Sequence, residues 1–559
     1  MSLRRISIVV AVVSILFAVS GVGAEIRVTE EGILTGGAVV DEIVFPYPAS
    51  SWDPVRFEAG NLLIRTWRDL GLSVEALPMN YSGVFSLISE SPHDDYNAWV
   101  FGYVSRPERL DPDVLLYRPF HTTGQNFQRF SYELYDEVVE AQRQEVDLEK
   151  RRELVYQAQE ILNEQVPAIP LYHVTSIVAH SQGRFEGWTP MVGYNLFNEW
   201  NLLNLRPLTF DNTVKFARVS PLTSSNPLNF AGGHNPDIMK LIYDSLARIA
   251  PNGQPVPWAA ESWEWLDNRT LLVNLRQGMV FHDGKPVTAE DVKFSYEYID
   301  RWGVPELVPF TSVFTDIQVL DDHTLKMTME TSYPGVLQTT FSKVYILPKH
   351  IWEDVVQREG LDTPLKWNNP NPIGSGPFKW GFWRPQEELY LEPFEGHWQP
   401  PQVNFRFIPF ANPEALWFAV QSGDVDYHER RLLPGQIDEA KQIRELGLST
   451  KPDFGVYYLG FNLQILPFAD FKFRQALAYA IDYDFIVDVI LQGYGQRGES
   501  FIAPANEFWH NPNLDLREFD LERTRQILEE AGYTWDSRGR LHYPELIPRE
   551  RLAASSLGN

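Results

Sequence analysis

Trp258-Ala-Ala-Glu-Ser-Trp-Glu-Trp265, followed by Leu275-Arg-Gln-Gly-Met-Val-Phe-His-Asp-Gly-Lys-Pro-Val-Thr-Ala-Glu-Asp-Val-Lys-Phe-Ser295, decides how this chain is read. Leu271, Val273 and Leu275 alternate with Leu272, Asn274 and Arg276, the period-two pattern of a strand. Phe281-His-Asp-Gly284 is turn chemistry, with Gly284 free to take positive φ. Thr288 and Asp291 form a helix-start pair, and Val292, Tyr296 and Ile299 then recur at helical spacing. The segment reads as strand, turn and capped helix. On that reading His282 and Asp283 are hydrogen-bonded turn residues rather than an acid–base pair.

Outward from this segment, the chain of 559 residues is too long for one ordinary core, so two or three domains are expected. Apolar residues make up 44% and include 17 Trp, 24 Tyr and 34 Phe, which places the chain among globular proteins. Most of these aromatics must be core, though such richness also suits an enclosing ligand site. A formal charge of −26 argues against nucleic acid and anionic membranes as partners. Residues 1–24 read as a secretory signal. Arg4 and Arg5 supply the charged region, Ile6 to Val19 the apolar run, and Val22-Gly-Ala24 the small-residue cleavage site. The chain has no cysteine, so no disulfide and no cysteine-borne lipid anchor is expected, and a periplasmic location follows.

The opening segment resembles the signature region of the extracytoplasmic solute-binding proteins of ABC importers, family 5, which take peptides and oligosaccharides. Thr213-Val-Lys-Phe-Ala217, Ser220 to Leu228, Asn371-Pro-Ile-Gly-Ser-Gly-Pro377, Leu459-Gly-Phe-Asn462 and Phe473 to Asp482 extend the resemblance over residues 213–545. The family's last third is found at the front, in residues 43–205. It is carried by Phe45-Pro-Tyr-Pro48, Leu72-Ser-Val-Glu75, Asp95-Tyr-Asn-Ala98, Asp147 to Arg152 and Val166 to His173. Each segment is found once, so the order reads as circularly permuted, with the old termini joined around Leu202 to Asn212. Joining surface termini and opening an exposed loop preserves a fold. A join of pieces from tandem paralogues, or a misassembled gene, gives the same order.

The resemblance implies an α/β, two-lobed periplasmic binding fold of type II with an extra subdomain, its segments in permuted order. Residues 1–24 are then the signal peptide, and 41–185 the second lobe, the family's C-terminal part. The first lobe takes 186–245, the extra subdomain 246–370, and the first lobe continues over 371–455. Residues 456–545 complete the second lobe, and 546–559 are a tail. Independently of the resemblance, Leu154, Val155, Ala158, Ile161 and Leu162 lie on one face of a helix capped by Asp147 and ended by Pro167 and Pro170.

Several chemistries are set aside. Gly493-Tyr-Gly-Gln-Arg-Gly498 matches a dinucleotide pattern but follows an apparent helix, Phe473 to Leu491, instead of a strand, so it reads as a turn. Among 74 acidic residues, carboxylate pairs are inevitable and do not by themselves indicate a glycoside hydrolase. The 12 histidines show no zinc-like clustering. No cofactor, metal or catalytic residue is expected. Arg474 and Asp482 match recurrent family positions and are expected to brace the second lobe.

By resemblance the ligand site lies between the lobes, on the early loop Thr223 to Asn229, the segment Ser50 to Asp53 and the loop Trp99 to Asp113. The candidate ligand-binding residues are Trp52, Trp99, Tyr103, Arg106, Glu108, Ser225 and Asn226. Dipeptide-binding relatives place an arginine just before the aromatic of the second segment, where this chain has Ser50 and Ser51 ahead of Trp52. An unpaired buried carboxylate costs several kcal/mol, so a free dipeptide is not expected as ligand. The expected function is the periplasmic component of an ABC importer, a monomer that captures an oligopeptide by lobe closure and delivers it to permease subunits. An oligosaccharide ligand stacked on Trp52, Trp99 and Tyr103 is the alternative. A secreted glycoside hydrolase or a ligand sensor are the readings outside transport.

Overall fold

The computed structural model describes residues 26–90, 95–219, 221–229, 235–428 and 431–552. The expected signal peptide lies outside them.

Two large apolar cores organise the molecule. One gathers side chains from Ile33 to Val174 and again from Val456 to Leu552. The other draws on Val178 to Tyr427. The chain passes between them at two places. The strand Ala168–Ser181 leaves the first of these cores and enters the second. The strands Leu446–Pro452 and Val456–Phe461 bring it back. The long strand pairs antiparallel with both: Tyr172 to Ala168 against Tyr457 to Gly460, and Thr175 to Ser181 against Pro452 to Leu446. Its sequence, Ala-Ile-Pro-Leu-Tyr-His-Val-Thr-Ser-Ile-Val-Ala-His-Ser, is a nearly continuous apolar and β-branched run, as expected for a strand covered on both faces. Through it the sheets of both lobes join into one ten-stranded sheet.

In the lobe that carries the first and last described residues, Ile43–Pro48 and Val74–Met79 run parallel, linked by the helix Pro54–Asp69. Asp53 caps that helix by accepting the Arg56 N–H at 2.9 Å, and Pro54 at its first position needs no partner for a missing N–H. The helix Leu148–Gln165 is capped by Asp147 and buries Val155, Ala158, Ile161 and Leu162. Arg474 is buried, and its guanidinium donates to the carbonyls of Val166, Phe468 and Gln165 at 3.0, 2.7 and 3.1 Å, so it braces this lobe. Asp482 accepts the Phe485 N–H at 2.9 Å and starts the next turn.

The opening segment forms the strand Thr270–Leu275, with Leu271, Val273 and Leu275 inward, in a four-stranded antiparallel sheet. Gly284 takes φ 86° in the turn, and the helix Ala289–Trp302 follows, with the Thr288 N–H donating to Asp291 Oδ2 at 3.0 Å. His282 accepts the Gly374 N–H at Nδ1 and donates from Nε2 to the Gly376 carbonyl at 3.0 Å, while Asp283 turns away to His350. Burial pushes the His282 pKa down to about 4, so the ring is neutral at pH 7. Gly374 and Gly376 pack so tightly on the Ile242 backbone that a Cβ on either would collide with it.

Two boundaries differ from expectation. The apolar side chains of residues 246–370 run on into the first lobe's core instead of forming their own. Residues 546–552 are no tail: Leu546–Pro548 pairs antiparallel with Gly32–Leu34, Ile547 is fully buried, and Arg551 pairs with Asp470. Apolar Ile547 is covered once its strand has a partner, which a composition-based reading cannot supply.

Candidate functional site between the lobes

Among the described residues, the lobes also touch beside the crossing strands. Leu110 and Ala503 from one lobe meet Met191 and Ile249 from the other, with Phe454 of the return crossing between them. Farther out, the Arg143 guanidinium lies over the Tyr333 ring at 5.4 Å. Arg143 also pairs with the buried Asp113 carboxylate at 3.4 Å. Burial raises the Asp113 pKa to about 6 against the pull of Arg143, with neighbouring Asp111 adding to the rise. Asp111 itself is held in a two-pronged ion pair by Arg151 at 2.7 and 3.0 Å.

At the start of the crossing strand Val456–Phe461, Tyr457 gathers a cluster of rings and cations. The first turn of the helix Pro54–Asp69 delivers the Arg56 guanidinium over the Trp52 ring at 4.3 Å and within 5.2 Å of the Tyr457 centroid. Arg431, from the opposite lobe, approaches the same Tyr457 ring at 5.6 Å and donates from Nη1 to its hydroxyl at 3.3 Å. The neighbouring Leu432 N–H donates to the Ile177 carbonyl at 2.7 Å, which fixes Arg431 beside the crossing strand. Burial pushes the Asp53 carboxyl up, but Arg56, Arg431 and the Arg56 N–H together hold it below the ordinary carboxylate range. Trp52 meets the exposed Tyr81 edge-on at 5.5 Å, and Tyr81 stacks on Phe85 at 5.8 Å.

The expected site residues fall into three groups. Trp52 and Tyr103 reach this region: Trp52 as described, and Tyr103 half-buried, stacked on Tyr458 at 5.7 Å with Arg109 over its ring at 5.4 Å. Arg106 starts the short 3-10 turn Pro107–Leu110 on the same loop, and the Glu108 side chain lies outside the described residues. Trp99, Ser225 and Asn226 do not line the cleft. Trp99 is fully buried against Tyr96 and the Gly460 backbone, in a strand whose residues Ala98 to Phe101 are buried on both faces. Ser225 spends its hydroxyl on the carbonyls of Asn368 and Asn369. Asn226 donates to the carbonyls of Pro364 and Trp367 at 2.8 and 2.9 Å and accepts the Leu228 N–H at 2.9 Å, leaving its amide nothing for a ligand.

Arg56, Arg431, Tyr457 and Tyr81 were not among the residues singled out from the sequence. Asp53 and Arg56, one turn apart at a helix start, carried a usable signal. Arg431 carried none, since only the tertiary fold brings it to Tyr457. Ser50 and Ser51 stand ahead of Trp52 where the dipeptide-binding relatives have an arginine, and the cation over the Trp52 ring is Arg56, one helical turn further on.

A surface concavity of about 800 Å³ lies elsewhere, among residues of the helices Leu148–Gln165, Phe471–Ala478 and Leu521–Glu530. Its arginines are already engaged, Arg517 by Asn163 and Arg551 by Asp470.

Residues 254–554 match the family of bacterial extracellular solute-binding proteins, family 5. The chain belongs to this family. It is 28% identical over 341 residues to the dipeptide-binding protein of Escherichia coli, covering 55% of this chain and 61% of that one. It is 30% identical over 327 residues to the oligopeptide-binding protein AppA of Bacillus subtilis, covering 56% and 58%. The heme-binding protein A of Haemophilus influenzae is 26% identical over 347 residues, covering 56% and 60%. The chain thus spans about three fifths of the length of these relatives. Among solved structures, Bacillus subtilis AppA in complex with a nonapeptide aligns with a TM-score of 0.47 at 23% identity, over 58% of this chain and 65% of that one. NikZ of Campylobacter jejuni with Ni(L-His) aligns at 0.48 and 23%, over 61% and 67%. Family 5 members are binding proteins, and no helix among the described residues of this one is long and apolar enough to cross a membrane.

Proposed function

We propose that this family 5 protein is the exported solute-binding component of an ABC importer and that it captures an oligopeptide between its lobes. The observation that carries the reading is the cluster of rings and cations, Trp52, Arg56, Arg431 and Tyr457, drawn from both lobes at the point where, among the described residues, two crossings join the two cores. So few crossings leave a hinge. A ligand touching both walls binds the closed form better than the open one and shifts the population towards it. The closed form is then the one a membrane permease receives. Peptides are favoured because the relatives include dipeptide- and oligopeptide-binding proteins. No step of bond making or breaking is assigned to any residue.

A second reading, an oligosaccharide ligand, rests on the rings of Trp52, Tyr81 and Phe85, which form a platform that sugars stack on. Thermal unfolding of the full chain with oligopeptides of several lengths and with β-linked oligosaccharides separates the two. Ligand at about a hundred times its dissociation constant adds roughly 2.7 kcal/mol of stability. Stabilisation by peptides alone supports the first reading, and by sugars alone the second. No stabilisation by either removes both.

The permuted segment order is part of the proposal. Two facts support it. Collinear comparison reaches only about three fifths of either chain. The first and last described segments also pair in one small sheet, where an unpermuted chain would run on. A version that begins near residue 213 and joins residue 548 to residue 32 is expected to fold and bind as the present order does, read by circular dichroism and the same thermal assay.

A further inference from the structure

The Arg143 guanidinium sits by two rings that belong to different lobes. The Tyr117 ring centre, in its own lobe, is 4.2 Å away, and that of Tyr333, in the opposite lobe, 5.4 Å. Behind it, Asp113 meets Arg143 Nε at 3.4 Å through Oδ2 and accepts the Gln142 amide at 3.1 Å through Oδ1. Asp111, paired with Arg151, accepts the Asp113 N–H at 3.0 Å and fixes that carboxylate in turn. The opposite lobe presents the turn Pro334–Val336. Tyr333, just before it, shares a hydrogen bond with the Thr339 hydroxyl of its own lobe at 3.2 Å, and its ring faces Arg143. Gly335 comes so near the other lobe that a Cβ there would stand 3.0 Å from Asp111 Oδ2.

The carboxylates behind Arg143 are thus covered by both lobes. The groups facing Asp113 are Asp111 on its own loop, Arg143, Gln142 and Tyr135 on the helix Glu133–Gln144, Arg151 on the helix Leu148–Gln165, and Tyr333 across the gap. Burial lifts the Asp113 pKa from 3.8 to about 6 against Arg143, with Asp111 adding to the rise. When the lobes part, water replaces Tyr333 and the turn, while Arg143 stays beside the carboxyl. Its pKa then moves back down. A group whose pKa is higher in the closed form binds a proton on closing. Closure is therefore favoured as pH falls through about 6 and loses that help as pH rises past it. We propose that Arg143, set on Asp113 and laid against Tyr333, is an inter-lobe latch that takes up a proton as it closes. The inference rests on the hinge of the solute-binding reading and adds to it a control that needs no solute. None of the latch residues is among those gathered at Tyr457.

The test uses the full chain without solute. The chain has no cysteine, so Gln157→Cys and Glu306→Cys, both exposed and on opposite lobes, take one spin label each. Double electron–electron resonance then gives the closed-to-open ratio. That ratio should rise about threefold or more from about pH 7.5 to about pH 5. Asp113→Asn, which mimics the protonated carboxyl, should hold the high ratio at both. At the lower pH, Tyr333→Leu and Arg143→Gln should each lower the ratio about threefold or more. Tyr333→Phe keeps the ring and should keep the ratio, which separates loss of the latch from a packing defect at this position. A cooperative urea transition in each variant shows that it is folded. A ratio indifferent to pH, or a pH response that survives in Asp113→Asn, overturns the inference. So does a ratio unmoved by both Tyr333→Leu and Arg143→Gln. Solute binding in the thermal assay with unmoved distances would sink the latch and leave the solute-binding reading standing. A latch that responds in a chain stabilised by neither peptides nor sugars would do the reverse.

Discussion

The loop Thr223 to Asn229 and the segment Ser50 to Asp53 were both expected to face the ligand; the first carries Ser225 and Asn226, and the second leads into Arg56, which was not singled out. Their hydrogen bonds go to different places. Asn226 uses both N–H donors and its carbonyl oxygen on backbone groups of its own lobe, and Ser225 does the same with its hydroxyl. Arg56 donates from its side chain to Asp53 and lays its guanidinium over Trp52, beside the Tyr457 ring that Arg431 of the other lobe also approaches. Residue type announces polarity, but saturation decides whether that polarity is structural or available. The same contrast separates Trp99 from Trp52: one ring is sealed in a core, and the other keeps a face for a cation.

Four experiments press on this contrast. The largest effect is expected where a saturated, buried group is removed. Arg474→Ala strips hydrogen bonds from the carbonyls of Val166, Phe468 and Gln165 and should cost about 3–5 kcal/mol in chemical denaturation. Trp99→Ala leaves a cavity in the same core and should cost a similar ~3–5 kcal/mol. Trp52→Ala should cost under about 1 kcal/mol of stability while weakening ligand binding, and equal losses in the two tryptophan variants would collapse the distinction.

Asn226→Ala follows, leaving the carbonyls of Pro364 and Trp367 unpaired at about 2–4 kcal/mol, from one to two unsatisfied buried groups. Ligand preference should be unchanged, which calorimetry on the variant checks. A changed preference between peptides and sugars would return this loop to the site.

The third experiment is a pH series. Burial raises the Asp113 pKa from 3.8 to about 6, opposed by Arg143, with Asp111, Arg151 and Tyr333 the other groups facing it. Between these values the folded protein holds a proton that the unfolded chain has released. Stability therefore falls as pH rises through that window, by roughly 1–3 kcal/mol in all. Asp113→Asn should flatten this part of the urea-denaturation profile. An unaltered slope would place the proton elsewhere. The smallest effect is expected for Ser225→Ala, about 1 kcal/mol, with binding untouched.

Much of the fold was legible because it rests on local rules. Alternation at Leu271, Val273 and Leu275, the Thr288–Asp291 helix start and the Asp147 cap each appear where periodicity and capping put them. The stretch Gly493 to Gly498, read as a turn, turns only at its start: Gly495–Arg497 is a strand paired with the long crossing strand, and no helix opens there. The site was less legible. Ala98 to Phe101 are buried on both faces of their strand, so Trp99 is sealed in by what packs on either side, which a local pattern does not name. Asn226 looks equally fit for a ligand or for a carbonyl of residues 364–367, and only proximity chooses.

By itself the sequence determined a mixed α/β chain with the family 5 signature, its helix starts, its turns and its lack of cysteine. Those properties follow from side-chain periodicity and capping over a few residues, which any stretch of chain carries with it. The tertiary structure alone decided that the chain's two described ends pair, that two crossings join the cores, and that Arg56 and Arg431 meet over Tyr457. Those partners lie hundreds of residues apart, and nothing in a local pattern specifies which distant groups a closed fold brings within 6 Å of one ring.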